Sequence, residues 1–437
     1  MRFHQFWLGL TSVASLLVAC DSNTTPTSPR AVPAQHALRD EGEDDAHVVV
    51  GTGDPTKDVA DVQAAVNLGG TVVLKGHFSF DAPPAQLVAA ALTAAPRHAE
   101  VRVFRTVAIV GADAGGEMPT IDGGTIPFYV EARDSAVTIR GLRFVRPIFS
   151  AVLVDAVRGL EIGSNRIEGL QPFAGLGEAI SVITTTAVPR PPAQGSPENI
   201  SGRLSIVRNF IDATGGTFTD NTLGITVFSA GVPGAEVEIQ VSANTVQNTT
   251  EPAINFRRIV GRAYITHNVV VTGSLIGTTT GTQAIRAANL GTYVIAHNSI
   301  RCEWTAADAE GIGVFSQFAA WPIEHALVMD NDVTMSAPPS TVFTAFSAGI
   351  GVYGFADNNV VQNNTIRGSA RAGLSIPVFP VPPMAPASPT DNAFIRNRFV
   401  DFTPSSADIF VGQHALRTRI IGAGTVVDDG EGTTIQR

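Results

Sequence analysis

Short stretches of the chain alternate apolar and polar residues with the two-residue period of a strand, as in "AVTIR" (136–140), "VEIQV" (237–241) and "YVIAH" (293–297). Two phrases recur around them. The first carries an Asn with Ile, Val or Phe two places on, at Asn165, Asn209, Asn244, Asn268, Asn298, Asn331, Asn364 and Asn397, in steps of 44, 35, 24, 30, 33, 33 and 33 residues. The second sets a small residue before an apolar one: "EAISV" (178–182), "LGITV" (223–227), "PAINF" (252–256), "QAIRA" (283–287), "EGIGV" (310–314), "AGIGV" (348–352) and "AGLSI" (372–376). A repeat every twenty to forty residues or so predicts a solenoid. Each coil is expected to hold the small-apolar strand, a second strand running into the Asn, and a third just after it.

Ahead of the repeats, "GDPTKDVADVQAAVNLGGTVVLKGHFSF" (53–80) reads as a short helix and a strand. Asp58 is the expected cap, with Val59, Val62 and Val66 on one face. Gly69-Gly70 should end the helix before a strand over Thr71–Leu74.

The first residues, "MRFHQFWLGLTSVASLLVAC", have a positive start at Arg2 and an apolar run too short for a comfortable membrane span. Residues 21–46 are rich in Ser, Thr, Pro and acid, the composition of an unstructured tether. The expected division is therefore signal peptide 1–19, tether 20–45 and repeat domain 46–437.

Charge narrows the partners. The net charge is −10 and the pI about 5.4, with no long basic run, which argues against nucleic acid. Of the 29 basic residues only Lys57 and Lys75 are lysine, leaving 27 arginines. Cys20 and Cys302 are the two cysteines, and Cys302 reads as a packed apolar residue.

The repeats and the helical lead-in resemble the right-handed parallel β-helix of the pectate-lyase-like superfamily, over about residues 46–437. That resemblance implies an all-β solenoid of about ten coils with the helix covering the open end of the first. It also implies a very short turn at each Asn, where inward carboxamides stack and bond backbone and the next amide, about 4.8 Å away. Asn is expected to take the left-handed conformation there. Separately, Leu17-Val18-Ala19-Cys20 resembles the bacterial lipobox. That implies a lipidated Cys20, attachment to the membrane through lipid alone, and a monomer on the extracytoplasmic side of the cell envelope.

In the resembled families the working surface is the outside of the first strand. Three irregular insertions, 185–202, 316–326 and 377–391, follow that strand. With the phrase's apolar residue inward, residues two before, one after and three after face out. This gives Glu178, Asn255, Gln283, Phe315 and Tyr353 as substrate-binding candidates, with Arg257, Arg286 and Glu310 as catalytic ones on consecutive coils. Arginine forks suit the carboxylates of a uronate-containing polysaccharide, and aromatic faces carry sugar rings. The resembled lyases use an Arg or Lys base, often with acid-bound calcium. Both lysines lie in or before the first coil, which leaves Arg257 or Arg286 and makes Ca2+ the one cofactor implied. The related hydrolases use paired aspartates, absent from these phrases, and Glu178 and Glu310 stand four coils apart, too far for a glycosidase pair. A further column, His267, His297 and Asp330, precedes successive ladder Asn residues; two imidazoles and a carboxylate are a set that could ligate a metal, but stacking produces such columns freely and this one reads as a surface ladder. Two readings result: a surface-anchored protein that binds an acidic glycan, with β-elimination as its reaction if catalytic, or a non-catalytic adhesive or structural scaffold.

Overall fold

The computed structural model describes residues 46–437 except 82–86, 89–96, 113–115, 174, 184–196, 215–220, 274–282, 304–308, 338–340, 345 and 379–386. The signal peptide, Cys20 and the tether lie outside the described residues, as do most of the 185–202 and 377–391 insertions.

The chain is a parallel β-helix. Strands of successive coils pair in parallel on three faces, and the same residue of each repeat lands in one column. On the first face the inward column includes Val101, Phe128 and Val152, then runs through Ile180, Ile225, Ile254, Ile285, Ile312 and Ile350 to Leu374, Ile409 and Val426. The third-face column is made by the residues two places after each ladder Asn, with Ile211, Val246, Val270, Ile300, Val333 and Ile366 in register. These columns are buried and pack into one continuous core, which explains why the repeat demands apolar residues there.

The small residue of the first-strand phrase also has a steric reason. Register skips it: Gln283 pairs with Glu310 and Ile285 with Ile312, while Ala284 and Gly311 stand unpaired between. The chain bends at this point, so the small residue and the next apolar one both turn inward. A Cβ at Gly311 would press on Val333 Cγ1 and lie 2.6 Å from the Gly349 carbonyl oxygen. The same bend turns the residue before it outward, which is what brings Gln283 and Glu310 onto the external face.

The asparagines form the expected ladder between the second and third faces. Asn298 is typical: its side-chain nitrogen donates to the Ile265 carbonyl at 2.9 Å and to Asn331 Oδ1 at 2.9 Å, and its backbone N–H donates to that same oxygen at 3.0 Å. The pattern runs from Asn165 to Asn397 with all eight side chains buried. The left-handed conformation is not on the Asn, however. It falls on the residue before, with φ 57° at His267, 56° at His297 and 53° at Asp330. The Asn needs extended geometry to aim its amide along the stack, so the preceding exposed residue makes the turn. A second, shorter ladder appears at the corner between the first and second faces, where Asn392 Oδ1 accepts from Asn359 N at 2.9 Å and from its side-chain amide at 3.1 Å.

The helix spans Pro55–Leu68, earlier than expected. Its cap is Asp54, which accepts from Thr56 N, with Pro55 fixing the first helical φ. Asp58 lies inside the helix, buried, and accepts from Thr52 N, Gly53 N and Ser79 N at 2.8–2.9 Å, tying the helix to the first coil. Val62, Ala65 and Val66 are buried against the core, and Gly69, with φ 79°, ends the helix before strand Gly70–Lys75.

Candidate functional site on the outer first face

Successive rungs, about 4.8 Å apart, line up two outward columns. One is Ser181, Thr226, Asn255 and Arg286, continued by Gly313 and Gly351; the other is Ile183, Phe228, Arg257, Ala288, Phe315 and Tyr353. The outward direction matches the sequence expectation. These side chains are nevertheless covered rather than solvated: Glu310 is 1% exposed, Tyr353 3%, Glu178 4%, Gln283 7% and Arg286 9%.

The arrangement knits four of the expected residues into one network. Arg286 Nε donates to Gln283 Oε1. The Gln283 amide donates to Glu310 Oε2 at 2.6 Å and to the Tyr353 hydroxyl at 2.8 Å. Tyr353 in turn donates to Glu310 Oε2 at 3.0 Å. Gly313 and Gly351 leave the space that the Glu310 carboxylate occupies; a Cβ at Gly313 would lie 2.8 Å from Oε2. Burial and the Glu310 carboxylate hold the Tyr353 proton well above the usual phenol range.

Glu251, from the turn before the Ile254 rung, lies 3.8 Å from Arg286 and is the partner that strand alternation does not reveal. Arg257 is different. Among the described residues it makes one hydrogen bond, Nε to Asn255 Oδ1 at 3.4 Å, and no ion pair. Burial, and then the Arg286 cation, pull its pKa down to about 9, opposed by Glu251 and Glu178.

Glu178 is taken by the Ser181 hydroxyl and stands four rungs from Glu310, on the order of 19 Å. Phe315 and Tyr353, expected as sugar platforms, stack on each other at 4.7 Å with Phe346 tilted against Tyr353. Among the described residues no group of three or more His, Cys, Asp or Glu is arranged to hold a metal ion. His267 and His297 are exposed on the ladder corner, rings stacked at 5.0 Å. Cys302 is buried, as expected of a packed residue. No helix among the described residues is long and apolar enough to cross a membrane.

No family model matches the chain, and no curated protein does. Among solved structures it is similar to PfbA, a surface adhesin of Streptococcus pneumoniae, at 13% identity and a TM-score of 0.46, covering 82% of this chain and 91% of that one. It is also similar to the A-module of the Azotobacter vinelandii mannuronan C-5 epimerase AlgE4 (12%, TM-score 0.39, 89% and 96%). A third is the alginate lyase AlyF-OU02 in complex with G6 (12%, TM-score 0.41, 89% and 83%). The likeness is in the course of the backbone.

Proposed function

We propose that the chain is an extracytoplasmic β-helix protein that binds an acidic, uronate-containing polysaccharide on its first face, held at the membrane by a lipid on Cys20. The supporting observation is the placing of two arginines on adjacent rungs, one of them, the half-buried Arg257, without an ion pair among the described residues. A partly buried cation in that state is stabilised by an anionic ligand, and a guanidinium fork matches a carboxylate. The protein's net negative charge opposes such a ligand, so the local arginines must overcome it, and binding should weaken with salt.

A second reading, β-elimination, is favoured by one feature: a pKa near 9 brings Arg257 within reach of base chemistry, while Tyr353 keeps a proton to donate. The test is incubation of the full chain with uronate polymers, following both binding and the ultraviolet absorbance of an unsaturated product. Binding without product supports a binding protein, and product supports a lyase. Absence of both leaves the adhesive or structural scaffold.

A further inference from the structure

We infer that Thr226 and Arg257 form a subsite for a single carboxylate, and that the acidic sugar is seated there rather than on Arg286. This rests on the glycan-binding reading and assigns Arg257 to holding the ligand's charge. Three independent observations lead to it.

The first is the contrast between the two arginines. Arg286 is held through its Nε by Gln283 and faces Glu251 at 3.8 Å, so its charge already has a partner. Among the described residues Arg257 has only its long bond to Asn255. The second is Thr226. Its side chain is 1% exposed, yet among the described residues its hydroxyl has no hydrogen-bond partner. Buried polar groups are nearly always bonded, and an orphan one calls for an explanation. The third is register. Thr226 pairs with Asn255, and Phe228 with Arg257, on adjacent rungs of the outer face. The Thr226 hydroxyl, the Asn255 side chain and the Arg257 guanidinium therefore share one patch of two rungs. A carboxylate there would take the guanidinium fork on one side and the hydroxyl on the other. Its single negative charge matches the Arg257 cation, which makes no ion pair among the described residues.

The experiment compares the parent with Thr226→Val, Arg257→Gln and Arg286→Gln by calorimetric titration of polygalacturonate and of its methyl-esterified form. Thr226→Val should bind the acid polymer about tenfold more weakly, and Arg257→Gln about ten- to a hundredfold. Arg286→Gln should lose less than Arg257→Gln. Binding of the methyl ester should be weak in the parent and unchanged in the Thr226 and Arg257 variants. Without ligand, Thr226→Val should melt at or above the parent's temperature, because valine removes a buried unpaired hydroxyl. A hydroxyl with a purely structural role would give the opposite sign. Thr226→Val binding the acid polymer like the parent, or losing stability and binding together, overturns the subsite.

If the parent binds neither polymer, the glycan reading falls and free glucuronate decides the subsite on its own. A glucuronate-dependent rise in melting temperature that disappears in both Thr226→Val and Arg257→Gln upholds it. Equal shifts in all three proteins, or none in any, overturn it.

Discussion

The asparagine corner and the outer first face both bury polar side chains in stacked columns, and they treat them in opposite ways. At the corner one residue type repeats, and each amide finds the same donors and acceptors one coil on, as between Asn298 and Asn331. On the first face the side chain changes from rung to rung over Ser181, Thr226, Asn255 and Arg286. Arg286, Gln283, Glu310 and Tyr353 satisfy one another through contacts up to two rungs apart, while Thr226 and Arg257 are left over. Periodic satisfaction makes scaffold. Aperiodic polar burial with leftover groups costs stability, and such groups persist where something else is gained, here a place for a ligand.

The sharpest way to break the comparison is at the ladder. Asn298→Ala removes the acceptor used by Asn268 N and its side-chain amide, and orphans the Ile265 carbonyl. It should destabilise by about 3 kcal/mol, read by thermal or urea denaturation, with glycan affinity unchanged. An unaltered melting point would mean the ladder is not what holds the coils. Gly311→Ala tests the bend that feeds the site. The new Cβ must displace Val333 or the Gly349 carbonyl, at about 2 kcal/mol. Because Glu310 adjoins it, this variant should also disturb the Tyr353 network, seen as a change in tyrosine absorbance.

Arg257→Met should move stability the other way. The folded-state pKa of Arg257 is lowered by burial from the usual guanidinium range to about 9. The unfolded chain therefore holds more protons between those values, and parental stability rises with pH across that window. Below about pH 9 the penalty of the buried cation is fully present. At pH 7 the methionine variant should accordingly be more stable than the parent, by about 1 kcal/mol once partial exposure is discounted. Its advantage should shrink as pH climbs past about 9. Affinity for an acid polymer should fall over the same rise, since the neutral guanidine no longer offers a charge. A β-elimination rate with Arg257 as base would instead increase there, so one pH series separates holding from catalysis.

The scaffold was legible because it repeats. The Asn phrase, the apolar residue two places on and the small-apolar phrase each mark one inward column. Local geometry was less so. The left-handed residue proved to be the one before each Asn, since aiming an amide up the stack requires extended backbone at the Asn itself. The helix cap moved from Asp58 to Asp54 because a buried Asp58 binds the first coil instead. Alternation indicated which side chains point out from the first face, including Arg257, Arg286 and Glu310. It carried no information on which of them pair. Glu251 sits in a turn, where no period applies, and the isolation of the Thr226 hydroxyl depends on what two neighbouring rungs leave over.

The smallest expected effect is at the histidines, and it tests whether the comparison concerns the right face. His267 and His297 are exposed residues at the left-handed position beside the ladder, with their rings stacked at 5.0 Å. Histidine is enriched over most residues in that left-handed backbone, so alanine adds only a small turn cost at each position. What is lost is one exposed ring contact between neighbours. Neither buried Asn loses a partner, because its bonds run to backbone and to the next Asn rather than to the ring before it. The double variant His267→Ala, His297→Ala should therefore stay within about 0.5 kcal/mol of the parent, as surface substitutions generally do. Its affinity for acid polymers should be the same, because the corner joins the second and third faces and the arginines stand on the first. Lost binding in the histidine pair, together with intact binding in Arg257→Gln, would move the site to the corner and make the first-face network a piece of scaffold.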